Sequence, residues 1–347
     1  MFENIPHSKP WITQEDKIAV DEVLDSGMIA QGKMTEKFEL KISSYLNLES
    51  SIACSSGTSA LILALRSLGI CNKSEVILPS YVCKSVYESV ITVGAKPIIC
   101  DIGENWVMDF ENIEPLISKK TSAIILVHTF GLPADIDSFQ VVDVPIIEDA
   151  CQAFGLTSKS RKAGTLGDVS IFSFHATKCL STGEGGMLNS NNPNIISRAT
   201  SLKNGAKKLD SIISSPMSDL QAALGISQFN RYNKFLKRRR LIKNIFINEL
   251  QNHIPLKTII VDADYLFRFP LFLKGYDRNK IMDTLANKNI IARLGVDQTI
   301  HSKLGLDNSG FPNTVSAINN TLSIPFYPAL SDIDISRIIE ELKKIFN

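Results

Sequence analysis

Three short segments carry side chains whose types and spacing could share one chemistry. The first, IACSSGTSALILALRSLGI, predicts a strand, a polar turn that contains Gly57, and a helix beginning near Thr58. The free N–H groups and positive dipole end of such a helix favour a bound phosphate. Serine, glycine and threonine at a helix start are equally explained as an N-cap. This segment alone therefore does not establish a ligand site.

The second segment, PIIEDACQAF, predicts an apolar strand that ends at Asp149, with Gln152 three residues later. A carboxylate at this position can pair with a pyridinium N–H and keep the ring able to absorb electrons. The amide of Gln152 could bond an oxygen on the same ring. The alternative is that Glu148 and Asp149 simply cap the following helix.

The third segment, IFSFHATKCLSTGEGG, predicts a strand and then a turn, with Lys178 five residues beyond Ser173. A lysine in a partly desolvated pocket can act as an amine nucleophile and form a Schiff base, and Ser173 could reach a phosphate. An isolated lysine is nearly always a solvated surface charge. The hypothesis therefore depends on the conjunction of phosphate turn, strand-end acid and strand-end lysine in one chain.

The elements that must position these residues alternate between short β-rich runs and helical patterns, which predicts an α/β fold with a mainly parallel sheet. The predicted strands are residues 51–54, 75–78, 97–101, 122–128, 144–149 and 169–173. Open α/β sheets bind ligands beyond the carboxyl ends of their strands. Asp149 and Ser173 stand at such ends, so we expect the site at that edge.

The remainder of the chain predicts a long helical segment and a second, smaller α/β unit. The helical segment covers about residues 219–252, and the smaller unit contains strands at 265–272 and 290–292 and helices at 277–286 and 333–346. We predict a large cofactor-binding domain with an N-terminal arm, residues 1–245, and a small C-terminal domain, residues 246–347.

Composition excludes several classes of function. The 347 residues include 37 Lys and Arg against 36 Asp and Glu, too balanced for a nucleic-acid partner. The acidic, proline-containing N-terminus is unlike a signal peptide, and no apolar run is long enough for a membrane span, so we expect a cytoplasmic protein. The six cysteines lack CxxC pairs and nearby histidine clusters, which predicts reduced thiols and no metal site.

The segments together resemble the DegT/StrS family of sugar aminotransferases, which are fold type I enzymes that use pyridoxal 5′-phosphate (PLP). The resemblance extends from IAQGKMTEKFE at residues 29–39 to LSIPFYPALSDIDISRIIEEL near the C-terminus. Between them lie SSGTSALILAL, GAKPIICDI, VHTFGLPADID, IIEDACQAFG, AGTLGDVSIFSFHATK, TGEGG and MSDLQAALGISQ. The resemblance implies a large domain with a mainly parallel mixed sheet flanked by helices, plus a smaller C-terminal α/β domain.

The resemblance also implies roles for individual residues. Lys178 becomes the Schiff-base lysine and proton shuttle, and Asp149 the partner of the pyridine nitrogen. The other positions implied to contact the cofactor are Gln152 near the ring oxygen and Gly57, Thr58 and Ser173 at the phosphate. A homodimer with active sites shared at the subunit interface is implied as well.

Two positions depart from the family pattern. Where many members have an aromatic side chain over the cofactor ring, the segment PSYVCKS has Cys83, with Tyr81 two residues earlier, and either could cover the ring. Before MSDLQAALG the family often has an asparagine that reaches the phosphate of the neighbouring subunit. Here the chain reads SSPM, so Ser214 or Ser215 would have to substitute, or the contact is absent.

The predicted function is transfer of an amino group from L-glutamate to a nucleotide-linked 3- or 4-keto sugar, for a surface polysaccharide such as O-antigen. A related 3-dehydrase branch carries histidine at the lysine position, so Lys178 favours transfer. A carbocyclic ketone substrate and a PLP-binding regulatory protein without turnover remain alternatives. The substrate-facing wall is predicted around residues 28–31 and 299–303, where His301 either enters it or is a satisfied surface histidine.

Overall fold

The computed structural model describes residues 3–204 and 215–347, which form a large sheet flanked by helices and a smaller sheet near the C-terminus. The helices are α1 (Gln14–Ser26), α2 (Lys33–Leu46), α3 (Gly57–Ser67), α4 (Lys84–Thr92), α5 (Phe110–Ile113), α6 (Pro193–Asn204), α7 (Asp219–Asn230), α8 (Tyr232–Leu250), α9 (Thr258–Asp262), α10 (Arg278–Ala286), α11 (Ile300–Lys303), α12 (Pro312–Asn320) and α13 (Asp332–Phe346). The strands are β1 (Ser50–Cys54), β2 (Glu75–Pro79), β3 (Lys96–Cys100), β4 (Thr121–Val127), β5 (Ile146–Asp149), β6 (Thr157–Ser158), β7 (Arg161–Lys162), β8 (Val169–Ser173), β9 (Gly186–Ser190), β10 (Phe269–Phe272), β11 (Arg293–Leu294) and β12 (Thr321–Ile324).

The large sheet has the strand order β1-β9-β8-β5-β4-β2-β3. Strands β3, β2, β4, β5 and β8 pair in parallel, whereas β9 runs antiparallel to both β8 and β1. This mainly parallel mixed sheet, flanked by helices, confirms the predicted fold class. Strand β9 was not predicted, because its glycine, asparagine and serine weaken the β-rich pattern of a short run.

Strand β4 shows how the sheet separates two layers of core. Ala123, Ile125 and Val127 pack into the cluster under α3, α4 and α6, while Ile124 and Leu126 pack into the cluster on the opposite face. Successive side chains of a strand point to opposite faces, so an uninterrupted apolar run indicates a strand buried on both sides. Such central strands hold their carboxyl ends rigidly.

The helical segment predicted over about residues 219–252 is helical, and it consists of two helices. Helix α7 ends at Asn230 and α8 begins at Tyr232, with Arg231 between them at φ −104° and ψ 4°. The guanidinium of Arg231 bonds the buried carboxylate of Asp16 on α1. That contact joins residues far apart in the sequence, so the helical periodicity of the segment does not register the break.

The smaller sheet has the order β10-β12-β11 and is antiparallel. The predicted strand at 265–272 is confined to β10, and that at 290–292 is misplaced, since Ile290 instead bridges Ile5 of the N-terminal arm. Strand β12 was not predicted. Helices α10 and α13 match the predicted segments. The division at residues 245/246 falls inside α8, and the two-domain boundary remains a prediction.

The described residues also bear on membrane and metal binding. No helix among them is long and apolar enough to cross a membrane. Nor do they bring together three or more His, Cys, Asp or Glu side chains that could hold a metal ion.

Candidate active site

The turn between β1 and α3 presents free backbone donors. Ser56 is the N-cap of α3, and its hydroxyl accepts the N–H of Ser59 at 3.1 Å. The N–H groups of Gly57 and Thr58 donate to no acceptor in the described parts of the chain, and Thr58 is exposed. Two free N–H groups at the positive end of an eleven-residue helix suit an anionic oxygen group.

Ser173 lies against this turn. A Cβ atom built on Gly57 would stand 2.9 Å from the Cβ of Ser173, too close for a side chain. A Cβ built on Gly186 would stand 2.2 Å from the carbonyl oxygen of Ser56. The start of α3, the end of β8 and the start of β9 are therefore packed so closely that these positions require glycine. The three predicted phosphate-binding positions, Gly57, Thr58 and Ser173, lie together.

Asp149 ends β5 and is 5% exposed. Its Oδ1 accepts the N–H of Cys151 at 3.0 Å, and within residues 3–204 and 215–347 no basic side chain forms an ion pair with it. The residues after it form turns, so the alternative that it caps a following helix is wrong. A buried carboxylate without a basic partner favours binding a cationic or N–H-bearing ligand.

The neighbouring Glu148 has a structural role instead. Its side chain accepts hydrogen bonds from His128 Nε2 at 2.8 Å and from the N–H groups of Gly164 at 2.6 Å and Leu166 at 2.8 Å. Burial raises the pKa of Glu148, but these hydrogen bonds outweigh burial and leave that pKa below its ordinary value. Since His128 Nδ1 accepts the N–H of Ala134 at 3.0 Å, Nε2 is the donor. This pair fixes the loop around residues 164–167.

Lys178 follows β8 in a turn where its N–H donates to the carbonyl of His175 at 2.8 Å. Its Nζ lies 4.9 Å from the ring centroid of Phe267. Burial raises the pKa of the nearby Cys151 thiol, as does the charge of Asp149, while the charge of Lys178 lowers it. Lys178 and Asp149 therefore both lie within electrostatic range of this thiol. Their roles around a cofactor stay a prediction.

Gln152 is held by the loop beyond β4. Its Oε1 accepts the N–H of Phe130 at 2.8 Å, and Phe130 is in the left-handed region at φ 59°. The amide N–H groups of Gln152 bond no acceptor among the described residues, so they remain for a ligand oxygen. The proposed bond from Gln152 to a ring oxygen stays a prediction that this arrangement supports.

Tyr81 and Cys83 differ in accessibility. Tyr81 is 1% exposed and packs edge-on against Phe130, with ring centroids 6.2 Å apart. Cys83 is exposed at the start of α4 and lies within electrostatic range of the Cys151 thiol. Tyr81 is a core residue, so Cys83 is the better candidate to cover a ring beside Lys178.

His301 does not enter a substrate-facing wall, and the prediction that it could do so is wrong. It is 1% exposed, its Nδ1 bonds the hydroxyl of Ser80 at 2.6 Å, and its Nε2 bonds Asn308 at 3.1 Å. Its ring stacks on Phe311 with centroids 4.5 Å apart. It is therefore a satisfied histidine, in the core rather than at the surface. The other predicted wall segment is open, with Met28 74% exposed.

Ser215 lies beside the phosphate turn of its own chain. Its hydroxyl bonds that of Ser55 at 2.6 Å, and its carbonyl accepts the N–H of Ser55 at 3.0 Å. Ser214 lies outside the described residues. A contact from either serine to a neighbouring subunit's phosphate remains a prediction.

Sequence reasoning missed three residues at the site. Cys151 was interpreted as a small core residue, although its position two residues after a strand-end acid could have indicated the site. Phe267 and Arg268 come from the smaller C-terminal unit, and no local signal links them to Lys178.

The residues present fit pyridoxal 5′-phosphate. The free N–H groups at the start of α3 match its phosphate, and the buried, cation-free carboxylate of Asp149 matches its protonated ring nitrogen. The side chains and turn that would hold it are Gly57, Thr58 and Ser173 at the phosphate, Asp149 and Gln152 at the ring, Cys83 over the ring and Lys178 at the aldehyde carbon.

Known proteins resemble the chain over its whole length. The family model of the DegT/DnrJ/EryC1/StrS aminotransferase family matches residues 10–343. The spore coat polysaccharide biosynthesis protein SpsC of Bacillus subtilis is 31% identical over 98% of this chain and 97% of its own. GDP-perosamine synthase of Vibrio cholerae is 29% identical over 99% of each chain. The PLP-form of Spr1654 from Streptococcus pneumoniae, described as a sugar aminotransferase, superimposes with a TM-score of 0.89 at 29% identity, covering 99% of this chain and 98% of that one.

Proposed function

Because the chain belongs to the DegT/DnrJ/EryC1/StrS family of PLP-dependent aminotransferases, we propose that it transfers an amino group from L-glutamate to a nucleotide-linked keto sugar. The sugar carries its ketone at carbon 3 or 4, and the product serves a surface polysaccharide such as O-antigen. The observation that supports the proposal is the buried carboxylate of Asp149 at the end of β5, two residues before Cys151, whose Sγ would stand 3.3 Å from a Cβ built on Gly57 in the turn with free N–H groups.

Lys178 is the proton carrier in this proposal. When bound, PLP supplies an aldehyde that accepts an amine and a pyridinium ring that withdraws electrons. The Nζ of Lys178 removes the proton from the α-carbon of the amino donor as a general base. In the second half of the reaction it delivers a proton to the sugar carbon that receives the nitrogen.

The other residues of the proposed site hold and orient the cofactor. The carboxylate of Asp149 keeps a proton on the ring nitrogen, since burial without a basic partner favours an N–H donor there. The N–H groups of Gly57 and Thr58 anchor the phosphate. Gln152 fixes the ring's rotation through its amide N–H groups, because its oxygen is already occupied by Phe130.

The proposal of a sugar substrate is based on the names of two similar proteins. One relative is named for spore coat polysaccharide biosynthesis and another for GDP-perosamine synthesis. Both cover nearly the full length of this chain, and both names concern sugars. We therefore favour a nucleotide-linked sugar over a carbocyclic ketone.

We also propose a homodimer that works in the cytoplasm. Exposed apolar side chains follow one another along α1 and the segment after it, with Leu24 53%, Met28 74% and Ile29 48% exposed. A surface of this kind suits a second copy of the chain, whose own site would lie near it. The six free thiols suit a reducing compartment.

An activity screen tests the substrate. The purified, PLP-loaded protein is incubated with L-glutamate and a panel of nucleotide-linked 3-keto and 4-keto sugars, and 2-oxoglutarate and amino sugar are measured by mass spectrometry. We expect turnover with one or a few of the sugars and none with inosose-type carbocyclic ketones. Turnover with the carbocyclic ketones alone, or with no acceptor at all, would contradict the proposed function.

A further inference from the structure

Arg268, just before β10, has an incompletely paired guanidinium. Its Nη1 donates to the carbonyls of Leu294 at 3.2 Å and Gly295 at 3.1 Å. Its Nε and Nη2 donate to no acceptor in the described ranges, and no Asp or Glu within them forms an ion pair with it. Burial lowers the pKa of Arg268 from its ordinary value, which is the expected effect on a charge that lacks a close anion.

The guanidinium of Arg268 and the amine of Lys178 lie against the same aromatic ring, that of Phe267. The Nζ of Lys178 is 4.9 Å and the Cζ of Arg268 is 5.5 Å from the ring centroid of Phe267. Lys178 lines one cavity of about 10 Å³, and Arg268 lines a second of about 10 Å³. Ser8 and Thr177 line both cavities, so the two cavities are neighbours.

None of the described groups around Arg268 is an anion that forms an ion pair with its guanidinium. Burial, with the charges of Arg268 and Arg293, lowers the pKa of His7 to about 3, so this histidine is neutral at physiological pH. Its Nε2 is engaged with the hydroxyl of Ser323 at 2.9 Å. Asp297 lies within electrostatic range of Arg268 but is exposed and forms no ion pair with it in the described structure. Partly buried charges are usually paired, so a ligand anion is the missing partner.

We propose that Arg268 binds a carboxylate of the amino donor through its Nε and Nη2 atoms. Two parallel N–H groups of a guanidinium match the two oxygens of a carboxylate, which gives orientation as well as affinity. The amine of the donor must come to the position of Lys178 Nζ. Both that atom and the guanidinium of Arg268 lie against the ring of Phe267. This inference rests on the proposed aminotransferase function and extends it to a specific subsite.

Glutarate is a suitable probe, because it has the carboxylates of the donor but no amine that could react. Its binding to the PLP-loaded protein is measured by calorimetry for the wild type, R268Q, R268K and the control R240Q. Arg240 is an exposed arginine on α8 that lines a different cavity. We expect R268Q to bind glutarate about tenfold to a hundredfold more weakly, from the loss of a charge-assisted hydrogen-bond pair. R268K should fall between R268Q and the wild type, and R240Q should equal the wild type.

A second arm separates a donor carboxylate from a substrate phosphate. Binding of GDP, UDP and dTDP to the same variants is measured, and we expect R268Q to leave it unchanged. Loss of nucleoside diphosphate binding with glutarate binding retained would overturn the proposal, and so would equal glutarate affinity in R268Q and the wild type. Circular dichroism checks the fold of each variant, and R268K provides the comparison if R268Q is unstable.

Different results would refute the proposed sugar substrate and the proposed role of Arg268. The spectral change on adding L-glutamate alone reports the donor half of the reaction and needs no sugar. A protein that binds glutarate through Arg268 but aminates no sugar would refute the sugar substrate and leave this inference standing. A wild type that binds no glutarate would refute the role of Arg268, whatever the sugar screen shows.

Discussion

Gln152 and Phe130 are joined by a hydrogen bond from the Phe130 N–H to Gln152 Oε1 at 2.8 Å. Phe130 has a positive φ of 59°, which costs free energy for a non-glycine residue unless its surroundings hold it. The side chain that we expect to orient the cofactor ring therefore also holds a strained loop. Position 152 affects both stability and cofactor binding.

Replacing Gln152 with leucine should test both effects. Q152L leaves the Phe130 N–H without an acceptor, so we expect a loss of about 1–3 kcal/mol in the free energy of unfolding and weaker PLP binding. Q152E keeps the acceptor oxygen and should retain most of the stability while still weakening PLP binding. Urea denaturation and equilibrium dialysis measure the two quantities. Equal stability of Q152L and the wild type would contradict the role of this bond.

Gly57 should tolerate no side chain. In G57A the new Cβ would stand 2.9 Å from the Cβ of Ser173 and intrude on the phosphate turn, so we expect PLP affinity to fall about tenfold or more. G310A is the matched control, because nothing lies within 4 Å of a Cβ built there. Fluorescence titration with PLP measures the affinities. Unchanged affinity in G57A would show that this turn does not hold the phosphate.

Glu148 should make stability depend on pH. Its pKa is lower in the folded protein than its ordinary value of 4.5, so its contribution is fully present above that value and is lost as the pH falls through the folded pKa. In E148Q the buried N–H donors face an amide instead of a carboxylate. We expect this substitution to lower the free energy of unfolding by about 3–5 kcal/mol near pH 7. Denaturant midpoints of the wild type and E148Q between pH 7 and pH 3 should converge towards the acidic end. A constant difference over that range would argue against this assignment.

Cys83 should react with alkylating reagents only while the cofactor is absent. Its thiol is exposed and lies within electrostatic range of Cys151, so we expect iodoacetamide to label it in the PLP-free protein and more slowly after PLP is added. Cys71 is also exposed and lies outside the site, so its labelling is the internal control. Peptide mass spectrometry follows both rates. Equal labelling of Cys83 with and without PLP would exclude it as the residue over the ring.

The sequence predicted the parts of the site that local patterns determine. Asp149 and Ser173 end apolar strands, and such runs indicate where a strand stops and which edge it shares with its neighbours. The helix start at Gly57 is equally local, because serine and glycine before an apolar helix form a recognisable N-terminus. These signals predict the phosphate turn, the acid and Lys178 at one edge of the sheet.

The parts that depend on distant contacts could not be predicted. Arg231, between α7 and α8, bonds Asp16, and Ile290 pairs with Ile5, contacts that no local pattern contains. His301 was a candidate for the substrate wall, but Ser80 and Phe311 hold it in the core. Arg268 lies against Phe267 just before β10, and no local pattern connects it with Lys178. Tertiary packing alone determines which of these polar side chains face a ligand.

The attachment site of the cofactor tests the central claim most directly. The PLP-loaded protein is reduced with borohydride, digested and analysed by mass spectrometry, with K178A and the exposed-lysine variant K73A treated in parallel. We predict a pyridoxyl group on Nζ of Lys178 in the wild type and K73A, with no adduct and no turnover in K178A. An adduct on another lysine in the wild type, or normal turnover in K178A, would contradict the account.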